Sequence, residues 1–208
     1  MRTFTAHRRA ALVSEMSIAT VACCVLALSA TPASAEGNVD TTDPSAVAAL
    51  VAIVAPDGSD PVDASATDSG FETSTPNATA SIPVDPTQPI QVTTDIAGRE
   101  ISANIALPDG LDLTGAEAAA DGTVVYPSGS DASVAVQTLE SGDTRVQTII
   151  PDRNATHEAA FGMEGFRAVI DSSGNAGFVQ DGHEGAFVPV AAAWATDATG
   201  GPCPLATK

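Results

Sequence analysis

From residue 91 onward the chain falls into short runs in which apolar and polar side chains alternate. "REISANIALPDG" puts Ile101, Ala103, Ile105 and Leu107 on one side of an extended backbone, with polar residues on the other. "GTVVYPSG", "DASVAVQTLESGD", "TRVQTIIPD", "HEAAFG", "GFRAVIDSSGN", "AGFVQDGHEG" and "AFVPVAAAW" follow, each bounded by Gly, Asp, Pro or Ser. A period of two marks a strand, because successive side chains leave opposite faces of the pleat. "ESGD" and "SSGN" suit hairpin connections, since glycine supplies the positive φ such turns use. The pattern predicts an all-β domain over residues 91–208, an antiparallel sandwich or meander of short strands. One patch runs against it: "TGAEAAADG" (residues 114–122) reads as a single helical turn.

Residues 36–90 read differently. The stretch 60–89 is rich in Thr, Ser, Asp, Ala and Pro and almost free of large apolar side chains. Such a segment buries too little surface to offset its conformational entropy, so it reads as a disordered or extended linker. Within the linker lies "DPSAVAALVAIVAPDG" (residues 43–58). Asp43 suits an N-cap, Pro44 a first helical turn and Pro56-Asp57-Gly58 a stop, which predicts a short apolar helix over 44–55. The alternative is a Val/Ile-rich strand that joins the later sheet.

The first 35 residues have the layout of a secretory signal peptide. Arg2, Arg8 and Arg9 form a basic start, "SIATVACCVLALSA" (residues 17–30) an apolar centre, and "ASA" (residues 33–35) a small-x-small cleavage pattern. The apolar run is shorter than the roughly 20 residues a membrane-spanning helix needs. The expected cut lies between Ala35 and Glu36, with no membrane insertion of the mature chain. A lipid-modified Cys23 is the lesser alternative, because "TVA" before it lacks a leucine-like residue three positions upstream.

Cleavage takes Lys+Arg from 8 to 5 and Asp+Glu from 26 to 25, so the formal charge goes from −18 to −20. A chain this acidic is repelled by nucleic acid and by anionic membrane surfaces. Cys23 and Cys24 leave with the leader and Cys203 alone remains, so no disulfide forms within the mature chain.

Chemistry-bearing patterns are sparse. His157-Glu158 and His183-Glu184 carry the only histidines of the mature chain. They lack the one-turn spacing of a zinc hydrolase helix, and on a strand each pair offers one ligand to a given face. "PSGSDAS" (residues 127–133) is serine-rich but lacks the G-x-S-x-G elbow, and its composition suits a hairpin. No calcium loop, P-loop or dinucleotide fingerprint occurs. The sequence therefore nominates no catalytic, cofactor-binding or metal-ligating residue and no cofactor. The partner it leaves open is a surface protein or a polysaccharide.

The segments "IALPDG" (residues 105–110), "AVQTLESGDTRVQTII" (residues 135–150) and "AWATDATGGP" (residues 193–202) resemble exported β-rich proteins of actinobacteria, over about half the chain. The resemblance implies export and a β fold, and it transfers no catalytic residue. Ala193 stands where those proteins more often have proline, and they run on with further strands beyond this point. On that comparison Trp194 lies mid-domain and the β domain is C-terminally incomplete; the alternative is a natural end with a short flexible tail. The expected function is a non-enzymatic exported β-rich protein acting extracellularly or at the cell surface. One alternative is the N-terminal module of a larger toxin or hydrolase. Another is a small secreted hydrolase using carboxylates or His157 and His183.

Overall fold

A computed structural model describes residues 21–27, 40–56, 58–96, 98–129, 131–152, 154–155, 158–171, 176–182, 187–191, 194–197 and 201–202. The fold is all-β with one helix, and its sheets are antiparallel at every described pairing but one. Its strands are β1 (Val21–Ala27), β2 (Ser65–Ala66), β3 (Gly70–Ser74), β4 (Ala78–Pro83), β5 (Ile90–Ile96), β6 (Arg99–Ala106), β7 (Glu117–Ala118), β8 (Val124–Tyr126), β9 (Ser133–Thr138), β10 (Thr144–Ile150), β11 (Gly162–Glu164), β12 (Phe166–Ile170), β13 (Ala176–Gln180) and β14 (Phe187–Pro189); helix α1 is Pro44–Val54. They form a five-stranded sheet in the order β1-β10-β9-β8-β7, a six-stranded sheet β11-β6-β5-β4-β3-β2 and a three-stranded sheet β12-β13-β14.

The two larger sheets face each other as a sandwich. Ala80, Ile82, Ile90, Val92 and Ile105 of the six-stranded sheet meet Val124, Tyr126, Val134, Val136, Val146 and Ile150 of the other. The alternation along β4, β5 and β6 supplies one side of this core, and that along β8, β9 and β10 the other. Polar pins cross the layer. Tyr126 Oη donates to the carbonyl of Pro83 at 2.6 Å, and Thr73 Oγ1 donates to Thr138 Oγ1 at 2.6 Å.

The linker expectation needs correcting between residues 60 and 90. That stretch is extended, but it is paired: β2, β3 and β4 complete the six-stranded sheet, and Ala78, Ala80, Ile82 and Ile90 are buried. Alanine and threonine suffice here because the apolar partner comes from the opposite sheet. The domain boundary at 90 therefore falls inside one sheet, between β4 and β5, which pair from Ala78↔Thr94 to Ser81↔Gln91.

The predicted helix is α1. Asp43 caps it, its carboxylate accepting from the amide of Ser45 at 2.9 Å, and Pro44 opens the first turn. Val47 and Val51 pack on Val125, Ala135 and Ile149, on the outer side of the five-stranded sheet, where Leu50, Val54 and Trp194 join them. Trp194 thus has an apolar surface to rest on. The "ESGD" turn joins β9 to β10 with Gly142 at φ 88°. β12 and β13 pair as a hairpin, though the "SSGN" turn (172–175) is outside the described residues.

Residues 114–122 do not form a helical turn; they hold β7 and a tight turn. Gly122 has φ 84°, and a Cβ there would collide with the carbonyl of Val62, so close backbone approach decides this turn. β1 comes from the apolar centre of the expected leader and lies parallel to β10, from Val21↔Thr144 to Ala27↔Ile150. The cleavage-site residues Ala35 and Glu36 lie outside the described residues.

Candidate functional site

The solvent face of the six-stranded sheet is a field of hydrogen-bonding side chains. Register aligns Ser65 of β2 with Glu72 of β3, Glu72 with Ser81 of β4, Ser81 with Gln91 of β5, Gln91 with Asn104 of β6, and Asn104 with Glu164 of β11. One row therefore crosses all six strands. A second row runs Ser74, Thr79, Thr93, Ser102. These residues alternate with Thr73, Ala80, Val92 and Ala103, which face the core.

Neighbours in the rows already touch. Thr93 Oγ1 and Ser102 Oγ lie 2.9 Å apart, and Gln91 Nε2 reaches Asn104 Oδ1 at 3.5 Å. Over β2 to β5 the surface dips into an open groove of about 510 Å3, with Asp63 and Glu72 among its lining residues beside Ser65, Ser81, Gln91 and Thr93. Hydroxyls and amides both donate and accept, so the groove can match a ligand rich in hydroxyl groups. Its charged lining residues, Asp63 and Glu72, are both acidic.

The outer face of the five-stranded sheet is the opposite case. Gln137, Arg145, Gln147 and Thr123 look like solvent-facing positions in the alternation, yet Gln147 is 0% and Gln137 3% exposed. Gln137 is the hub. Its amide donates to Thr123 Oγ1 at 2.9 Å, and its carbonyl accepts from Gln147 Nε2 at 3.1 Å and Arg145 Nη1 at 3.4 Å. The chain after α1 crosses Arg145 so closely that a Cβ on Gly58 would stand 3.2 Å from its Nη2. Gln147 Oε1 is buried without a hydrogen-bond partner. This cluster is roofed over and serves packing.

Other polar segments are also structural. Ser133 Oγ donates to the carbonyl of Thr41 at 3.0 Å and accepts from the amide of Ser128 at 3.0 Å, so Ser133 ties this segment to the chain just before α1. Burial pushes the Tyr126 phenol well above its ordinary range, and the negative charge of Asp85 adds to the shift. His157, His183 and Cys203 lie outside the described residues. Among the described residues no three His, Cys, Asp or Glu side chains come together as a metal set. No described helix is long and apolar enough to cross a membrane.

The polar rows were not read from the sequence. Their signal was there in "GFETS", "ATASIP" and "IQVTTD", where Phe71, Ile82, Ile90 and Val92 mark the core side, but these few apolar residues are sparse in a Thr/Ser-rich background. Comparison with protein-family models, curated proteins and solved structures finds no match to this chain.

Proposed function

We propose that the protein is a non-enzymatic, exported β-rich module that acts outside the cell or at its surface, with the open face of the six-stranded sheet as its working surface. The observation that carries this reading is the contrast between that face and its counterpart. One sheet is covered on both sides, while the other leaves two rows of polar side chains uncovered across a groove. An extended hydrogen-bonding surface suits recognition of a ligand. The leader layout supports export, and the acidic charge favours solubility outside the cell.

Cleavage after Ala35 removes β1. The strand it leaves behind, β10, keeps its antiparallel partner β9 and its core contacts. β1 is held at the sheet edge by a parallel pairing, the weaker kind per residue, which fits a dispensable strand. The test is to express the full chain in an actinobacterial host and sequence the N-terminus of the product in medium and envelope. A product beginning at Glu36 is expected. A chain that remains inside the cell and begins at Met1 overturns the reading.

A further inference from the structure

We infer that the groove on the six-stranded sheet binds an extended, uncharged polysaccharide laid across the strands along Ser65, Glu72, Ser81 and Gln91, with Asn104 and Glu164 continuing the row beyond the groove. The inference rests on the exported-module reading and names the ligand class for the same face. Four observations carry it.

The first is spacing. Neighbouring strands lie about 4.8 Å apart, so a row over six strands spans about 24 Å. The spacing between neighbouring strands is close to the rise of one sugar unit in an extended β-linked glycan. Each sugar therefore meets a fresh strand and a fresh polar side chain, in a register fixed by the ladder.

The second is donor–acceptor chemistry. Ser65, Ser81, Gln91, Thr93 and Asn104 each donate and accept, as a sugar hydroxyl does. Glu72 and Glu164 only accept, and a neutral sugar offers donors on every ring.

The third is charge. Asp63 and Glu72 line the groove and the chain carries −18 overall, so a uronic acid polymer, a nucleic acid or a phosphorylated surface is repelled. The fourth is the scarcity of apolar lining. Ala80 is the one apolar residue on the groove's lining, its side chain is buried in the core, and no aromatic lines the groove, so lipids and apolar peptides find little to bury. Binding without aromatic stacking is expected to be weak per site and insensitive to salt.

The experiment uses the mature chain recovered from the medium, run through native gels containing a linear β-1,4-glucan, a β-1,4-mannan or polygalacturonate. Retardation by at least one neutral glycan, unchanged between low and high salt, is expected, with none by polygalacturonate. Gln91→Ala should weaken it about five-fold, as the loss of one hydrogen bond implies. Ser81→Leu, which fills the groove, should abolish it. Thermal unfolding of both variants near the native midpoint shows that the sheet is intact. Native chain that neither glycan retards, stronger retardation by polygalacturonate, or a folded Ser81→Leu variant retarded like the native chain overturns the ligand assignment alone. A chain never found outside the cell, with its leader attached, overturns the exported-module reading as well.

Discussion

The outer faces of the two large sheets carry similar residues and meet opposite fates. On the six-stranded sheet Glu72, Ser81 and Gln91 stand in solvent; on the five-stranded sheet Gln137, Arg145 and Gln147 are buried. Glutamine occupies both faces, so side-chain chemistry alone does not separate them. The difference is the cover. Helix α1 lies over Val125, Ala135 and Ile149, and the chain that leaves it passes over Arg145. Once covered, polar side chains turn to one another, and Gln137 bonds three neighbours, while Gln147 Oε1 stays without a partner. Left uncovered, they remain available to a ligand.

The largest effect should come from the shared core. Ile82→Ala, in the stretch whose composition reads as linker, should cost about 2–5 kcal/mol in chemical denaturation, because Ile82 is fully buried between the sheets. A cost near zero would show that β4 is not part of the sandwich. Gln137→Ala should follow at about 2–3 kcal/mol, since it strips partners from Thr123, Gln147 and Arg145 at once.

Alkaline pH should find the next weakness. Tyr126 is the single tyrosine, so an absorbance titration reads one phenol. Its folded pKa is raised above the unfolded value near 10, so the stability it contributes is complete below that pH and is lost as pH rises beyond it. Unfolding should accompany ionisation, and Tyr126→Phe should remove the linkage. An ordinary tyrosine titration in a chain that stays folded would contradict the inter-sheet pin to Pro83.

Asp43→Ala should cost about 1 kcal/mol by uncapping the helix that covers the five-stranded sheet. Smallest of all, Gln91→Ala should change stability by less than about 0.5 kcal/mol, being on the open face. Set beside Gln137→Ala, it measures directly what the cover does to a glutamine. Equal costs for the two would erase the distinction between the faces.

Much of the fold was legible in the chain. β6, β8, β9, β10, β12, β13 and β14 fall within the alternating runs, and Asp43-Pro44 marked the start of α1 because capping and a proline first turn are local effects. β2, β3 and β4 were missed. Their core positions are alanine, threonine, one isoleucine and one phenylalanine, too sparse to stand out from a Thr/Ser/Pro background until a facing sheet gives them something to bury against. β7 was missed for a related reason: Glu117 and Ala118 have helical propensity, and pairing with Val125 and Val124 overrides it. The polar groove was missed with β2 to β4, since a surface built on unrecognised strands is itself unrecognised.

By itself the sequence determined what is local: the turn at Gly142, the cap at Asp43, the period of the later strands, and the acidic charge of the chain. Only the tertiary structure decided which polar face stays open. That choice depends on where α1 and the chain after it come to rest, and their resting place is fixed by apolar contacts between residues far apart in sequence, such as Val51 with Ala135 and Ile149. Local periodicity says that a side chain leaves one face of a strand; it carries no information on whether water or another segment waits there.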